Sequence, residues 1–158
     1  MDKESLPGRR IQAVLLFFWA GYFSIVLCSN TGDALKVLGW LPANWIFVSG
    51  NYEMVRSVVG IYHPPSWLAG IFFAGVIGWQ AIGAVLLWRA FGTVVQQTPG
   101  QKAAVYRALT VTIALWAAFL LSDEIFLAYE IPSLDATHFN LLVAEIGTFL
   151  ICRKDSGW

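Results

Sequence analysis

Four long apolar stretches dominate this 158-residue chain, and few folds can accommodate them. They lie at residues 11–29, 67–88, 104–129 and 137–152. A helix needs about 20 mostly apolar residues to cross the hydrocarbon of a bilayer. Lipid admits only structures whose backbone polar groups are satisfied internally. The sequence therefore predicts an all-α fold, in which a bundle of four transmembrane helices forms a single integral membrane domain over residues 1–158.

The charge content excludes several classes of partner. Hydrophobic residues make up 58% of the chain and charged residues 13%, against about a quarter in ordinary soluble domains. The formal net charge is zero, so no basic excess points to nucleic acid. The lipid bilayer is the partner that this composition predicts.

The first apolar stretch follows Arg9 and Arg10, which is also the pattern of a secretory signal peptide. No small-residue cleavage pattern follows it, and Leu27 is too large to precede a lipoprotein cleavage at Cys28. We therefore predict a retained helix. Cys152 falls at the opposite membrane face from Cys28 in this topology, so we expect no disulfide between them.

The basic residues predict the orientation of the bundle. Cytoplasmic loops of membrane proteins carry an excess of lysine and arginine. With a cytoplasmic N-terminus, eight of the ten basic residues lie inside, and only Lys36 and Arg56 lie outside. The eight are Lys3, Arg9, Arg10, Arg89, Lys102, Arg107, Arg153 and Lys154. We predict a multi-pass protein of the bacterial inner (cytoplasmic) membrane with both termini cytoplasmic.

Residues 31–66, between the first two spans, are too apolar for a solvated extracytoplasmic loop. Thr31 and Asp33 are good helix caps, and Gly39 is a typical helix terminator, which predicts one short helix. A second is predicted where apolar and aromatic residues recur at helical spacing between Tyr52 and Tyr62. We expect both helices in the membrane interface or folded over the bundle mouth, as a structural lid or as a docking surface.

Small residues four apart mark one face of the second span. Gly70, Ala74 and Gly78 would let another helix approach closely. The pattern predicts packing against a helix of the same chain or, alternatively, against another subunit or a second copy.

Polar residues within spans are functional candidates by default. Gln80 and Glu145 fall at similar depth in the second and fourth spans, and neither has a basic residue at its level. We expect a protonated Glu145 to exchange hydrogen bonds with Gln80 or Trp79. The alternatives are a proton or ion relay and a contact with another subunit.

Acidic residues cluster at the end of the third span. Asp123 and Glu124 are adjacent and point about 100° apart, whereas Asp123 and Glu130 are seven apart and share a face. Asp123 and Glu130 are therefore candidate ligands for a hard metal cation, with bonds to the lid as the alternative.

His63 and His138 both fall near the outer interface. Two histidines on different segments are candidate axial ligands of haem, or members of a carboxylate metal site. The alternative is that both bond loop backbone. The sequence identifies neither a cofactor nor a metal by itself.

No motif of a soluble enzyme occurs in the chain, so we predict a non-enzymatic role. The leading hypothesis is an accessory or stabilising subunit of a larger membrane complex. The alternatives are a haem-, quinone- or pigment-binding anchor of an electron-transfer complex, and an ion or small-solute transporter.

Four segments resemble a known family, and three of them lie in the first half of the chain or in the second span. They are Asn30-Thr31, the stretch from Asn51 to Val58, and the stretch from Gly78 to Ala84. With the segment from Ser122 to Glu130, they are similar to the bacterial predicted small integral membrane proteins called domain of unknown function 2165. Gln80 stands where the family often has an acid, and Ser122-Asp123 replaces glycines. The resemblance implies a four-span architecture and no particular activity.

Overall fold

The computed structural model describes residues 6–128 and 134–154, and this part of the chain forms five helices and no strand. The helices are α1 (Leu6–Val37), α2 (Asn51–Gly60), α3 (Trp67–Gln96), α4 (Gln101–Ile125) and α5 (Leu134–Lys154). All but α2 are long and apolar enough to cross a membrane. The shortest of these four, α5, has 21 residues, which span about 31 Å, the thickness of the hydrocarbon core. The chain is therefore a multi-pass membrane protein with a helical bundle.

The surface of the bundle is as apolar as its interior. In each spanning helix, at most 33% of the most apolar stretch is buried within the protein. Large side chains such as Phe18, Ile71, Val85 and Leu121 are more than half exposed. Apolar residues on all sides of a helix are typical of contact with lipid.

The helices pack in a fixed order, in which α3 contacts α1 and α4, and α5 packs mainly against α4. The core between them includes Leu16, Phe23, Leu87 and Leu109, each no more than 1% exposed. Tryptophan indoles link neighbouring helices by hydrogen bonds. Trp19 donates to the Thr148 hydroxyl, Trp88 to the Ser24 hydroxyl and Trp79 to the carbonyl of Val111, all over 2.9–3.0 Å.

Gly83 of α3 lies where other helices come close to its backbone. A Cβ atom there would stand 2.9 Å from Cγ2 of Thr112 and 3.0 Å from Cε1 of Phe23. Glycine therefore permits α1, α3 and α4 to meet at this level.

The structure corrects the first half of the predicted lid. Helix α1 continues without a break to Val37, so no separate short helix begins at Thr31. Gly39, at φ +74°, does end the helix. Its amide donates to the Lys36 carbonyl, and the next amide, of Trp40, donates to the Leu35 carbonyl. These two bonds are those of a Schellman motif.

The second predicted helix of this segment corresponds to α2, and Asp33 holds its first turn. The Asp33 carboxylate accepts from the backbone N–H of Tyr52 at 2.8 Å and from the Ser49 hydroxyl at 3.2 Å. The first N–H groups of a helix have no partner within it, so a carboxylate from α1 stabilises the start of α2. Asp33 thus caps a different helix from the one that the sequence predicts. Ser66 stands at the N-cap of α3, but its side chain makes no capping bond.

The described helix bounds differ from the predicted spans mainly at the ends. Helix α3 runs eight residues beyond residue 88, to Gln96, and α4 ends at Ile125. The predictions that involve Lys3, Tyr129 and Glu130 lie outside the described residues.

Candidate functional site

A cavity of about 260 Å³ lies between α2 and the ends of the four long helices, and we call it the α2 cavity. Met54, Val55, Val58 and Val59 of α2 form one wall. Most of the other lining side chains are aliphatic or aromatic. Among the described residues, the polar lining consists of Tyr22, Asn30, Asn51, Gln80, Ser122, Asp123, Thr137 and His138, with the indole of Trp116.

A chain of three amides crosses this end of the bundle. The Asn51 amide nitrogen of α2 donates to the Asn30 carbonyl oxygen of α1 at 2.9 Å. The Asn30 amide nitrogen in turn donates to the Gln80 carbonyl oxygen of α3 at 2.8 Å. Asn30 and Gln80 are 1% and 3% exposed, so these bonds form in a medium that strengthens them. The chain fixes the orientation of Gln80 relative to α2.

The Gln80 amide nitrogen is left with its donors unused. Its carbonyl oxygen bonds Asn30, but its nitrogen bonds no other described residue. Gln80 is 97% buried and is one of the residues that line the α2 cavity. A buried donor of this kind favours an occupant that accepts a hydrogen bond.

A carboxylate and an imidazole that line the cavity lie next to each other. His138 Nδ1 of α5 lies 2.7 Å from Asp123 Oδ2 of α4, and both side chains are nearly buried. The Phe119 ring packs against the imidazole with centroids 4.8 Å apart. Asp123 is thus paired with His138, whereas its neighbour Glu124 is exposed, as expected from their 100° separation.

Glu145 lies outside the α2 cavity, beside Trp116, and its predicted partners are wrong. The carboxyl group accepts a hydrogen bond from Trp116 Nε1 at 2.6 Å and bonds the Thr112 hydroxyl. Both partners belong to α4, because α5 packs mainly against that helix. Gln80 faces α1, and Trp79 bonds the α4 backbone, so neither meets Glu145.

The two histidines are not brought together. His63 is exposed in the turn after α2, at φ +49°, and does not line the α2 cavity, whereas His138 does. His138 already bonds Asp123 through Nδ1. The predicted haem ligation by these two histidines therefore has no support in this arrangement.

Of the predicted metal pair of Asp123 and Glu130, Glu130 lies outside the described residues. Within residues 6–128 and 134–154, no three His, Cys, Asp or Glu side chains converge on a point where they would bind a metal ion.

The small-residue face of α3 does not pack within the described chain. Ala74 and Gly78 are exposed, and no atom lies within 4 Å of a Cβ built on Gly70 or Gly78. The intramolecular alternative is therefore wrong for these residues, and the glycine that does bring helices together is Gly83.

Sequence reasoning missed Asn30 and Asn51 as members of the site. For Asn30, the available signal was its position at the end of an apolar stretch, where a buried amide requires a partner. Asn51 gives no such signal, because it looks like an ordinary cap of a short helix.

No protein-family model, curated protein or solved structure matches this chain.

Proposed function

We propose that this chain is a non-enzymatic membrane protein that binds a small, uncharged, largely apolar molecule in the α2 cavity. The observation that carries this proposal is Gln80, a 97% buried residue that lines the cavity and whose amide nitrogen has no hydrogen-bond partner among the described residues. A donor left unbonded at such a position costs about 1–3 kcal/mol. An occupant with an oxygen acceptor would remove that cost.

The charges around the cavity favour an uncharged ligand. None of the described lining residues is a lysine or an arginine, so an anionic head group would find no counter-charge. The acid in the lining, Asp123, is already paired with His138. A cation would have to compete with that pairing.

The size and lining of the cavity are suited to a small lipid-soluble molecule. A volume of about 260 Å³ is close to the lower end of typical ligand pockets, about 300 Å³. Most of the lining surface is aliphatic or aromatic, as is usual for such pockets.

We further propose that the protein lies in the bacterial inner membrane with both termini cytoplasmic and α2 at the extracytoplasmic interface. The support is the distribution of basic residues, eight against two. Membership of the domain of unknown function 2165 family is a proposal of the same kind, supported by the four segments named above.

A second candidate function is that of an accessory subunit of a larger membrane complex. The observation that favours it is the uncovered face of Gly70, Ala74 and Gly78, which offers a close approach to a helix from another subunit or a second copy. The two functions are compatible, since this face and the α2 cavity involve different residues.

Native mass spectrometry after purification in mild detergent would test both. We expect the wild-type protein to retain a small molecule. Val76→Trp on α3 should displace it by filling the cavity, as should Val58→Phe on α2. The matched control is Val85→Trp, also on α3, because Val85 is 58% exposed and does not line the cavity.

Loss of the small molecule in both cavity variants, with retention in the control, would support the proposed site. A wild-type protein that carries no small molecule, or carries one that the cavity variants retain equally, would overturn it. Additional protein subunits in the same spectra would support the accessory role, and a bare monomer would contradict that role.

A further inference from the structure

Two hydrogen-bonding positions reach the α2 cavity from different helices. On α3, the Gln80 amide nitrogen offers a donor, as shown above. On α5, the Nδ1 atom of His138 bonds Asp123, and the Nε2 atom of His138 bonds no described residue. His138 lines the cavity, and 13% of its side-chain surface is accessible.

Asp123 determines what His138 offers to a ligand. His138 Nδ1 lies 2.7 Å from Asp123 Oδ2, and an ionised carboxylate only accepts hydrogen bonds. When Nδ1 carries the proton of a neutral imidazole, Nε2 is an acceptor. A ligand that donates a hydrogen bond at one position and accepts one at another would satisfy both His138 and Gln80.

Aromatic side chains shape the space between these positions. Phe72, Phe73, Phe119 and Phe126 line the cavity together with the Trp116 indole. Aromatic rings pack favourably against other flat rings, edge-on or offset. A ring in the ligand would therefore pack favourably against these side chains.

Resting on the proposed function, we infer that the ligand belongs to the class of lipid-soluble quinols. One hydroxyl would donate to His138 Nε2, and the other oxygen would accept from the Gln80 amide. The oxidised quinone has only acceptors, so its carbonyl would face the lone pair of Nε2 and lose that hydrogen bond. The site would thus hold the reduced form in preference to the oxidised form.

Equilibrium dialysis of the purified protein, carried out in one detergent and under argon, would test this inference. Three probes carry the same decyl tail, on a benzoquinol, a benzoquinone and an unsubstituted benzene ring. Since the tail is common, differences in affinity report on the head group. We expect the quinol to bind roughly tenfold more tightly than the quinone, the worth of about one hydrogen bond, and the benzene probe to bind most weakly.

Two substitutions with matched controls assign the contacts. Gln80→Leu should weaken quinol binding by about tenfold, while Gln96→Leu, at the exposed end of α3, should leave it unchanged. His138→Phe should abolish the preference for quinol over quinone, while His63→Phe, outside the cavity, should preserve it.

Asp123→Asn tests the positioning role of the carboxylate without relying on overall stability. An asparagine can donate or accept, so it no longer fixes which imidazole nitrogen carries the proton. The ratio of quinol to quinone affinity should fall toward one, even if the variant is less stable. A merely structural role for Asp123 would leave this ratio unchanged.

Equal binding of all three probes, or an unchanged preference in His138→Phe and Asp123→Asn, would overturn the inference. If Val76→Trp still reduced the binding of all three, the α2 cavity would stand as a binding site for a ligand of another class. Native mass spectra that show a retained molecule other than a quinol would likewise contradict the quinol inference. They would still support the α2 cavity as a binding site.

Discussion

A buried polar side chain in this bundle bonds whichever helix packs beside it. Glu145 illustrates this at the scale of a single residue. It is completely buried, yet Thr112 and Trp116 supply one contact to each carboxyl oxygen. The Thr112 hydroxyl also lies within bonding distance of the Ala108 carbonyl, 3.1 Å away, so it can accept from a protonated Glu145 and donate to the backbone. Depth in the membrane alone, which predicted a contact with Gln80, did not identify these partners.

The bonding of Glu145 leads to a prediction for two substitutions. Glu145→Gln should be nearly as stable as the wild type, because its amide can donate to Thr112 and its carbonyl can accept from Trp116. Glu145→Leu leaves the Trp116 N–H without an acceptor and should lower the free energy of unfolding by about 1–2 kcal/mol. Thermal unfolding in detergent would measure both, and equal loss in the two variants would contradict a hydrogen-bonding role.

At the scale of elements, the spanning helices are held together by specific contacts and by one close approach. An isolated glycine in a helix usually costs about 1 kcal/mol relative to alanine. At Gly83 the nearby atoms of Thr112 and Phe23 leave no room for a larger side chain. Gly78, five residues earlier on α3, has no atom near the position of a Cβ. Identical residues on one helix therefore have different roles.

Alanine substitutions should separate these two glycines. Gly78→Ala is expected to leave stability unchanged or raise it slightly, as helix propensity favours alanine. Gly83→Ala must displace Thr112 or Phe23 and should lower the free energy of unfolding by about 1–3 kcal/mol. Both can be measured in the same thermal unfolding assay, and a stabilised Gly83→Ala would show that the helices do not meet at this glycine.

The short helix α2 is tied to the bundle at both ends. Asn51 and the amide of Tyr52 bond α1 at its start. Beyond its end, the Tyr62 hydroxyl donates to the carbonyl of Ile125 on α4 at 2.6 Å. Its wall of the cavity is thereby held against three of the long helices, since it also packs on α3.

At the scale of the whole molecule, the described chain has an apolar exterior around a partly polar interior. Exposed aromatic and aliphatic residues cover the four long helices, while Gln12, Asn30, Gln80, Thr112, Asp123, Glu145 and Thr148 are buried. This arrangement suits a lipid environment, in which polar groups are stabilised only by one another. The orientation in the bilayer depends on the basic residues between and beyond the spans.

Cysteine labelling would test the proposed orientation. In a variant without Cys28 and Cys152, we expect an impermeant maleimide to label Ser57→Cys, on the exposed side of α2, in intact cells. Lys102→Cys, in the first turn of α4, should be labelled only after the membrane is permeabilised. Labelling of Lys102→Cys in intact cells would contradict the proposed topology.

The sequence by itself determined that the chain crosses lipid with four helices, because spanning requires only enough consecutive apolar residues. It also indicated that Asp123 and Glu124 point apart, since that follows from helical geometry. It could not show that α1 continues through Thr31, where cap residues predicted a new start, because Asp33 forms its capping bonds with α2 instead of with its own backbone.

Only the tertiary structure decided which buried groups meet. Whether Glu145 bonds α3 or α4, and whether Gly70 or Gly83 touches a neighbouring helix, depends on how each helix is rotated about its axis. That rotation follows from the packing of side chains over the whole bundle. A chain that is apolar on every side contains little information about it, because hydrophobic patterning no longer distinguishes the face toward protein from the face toward lipid.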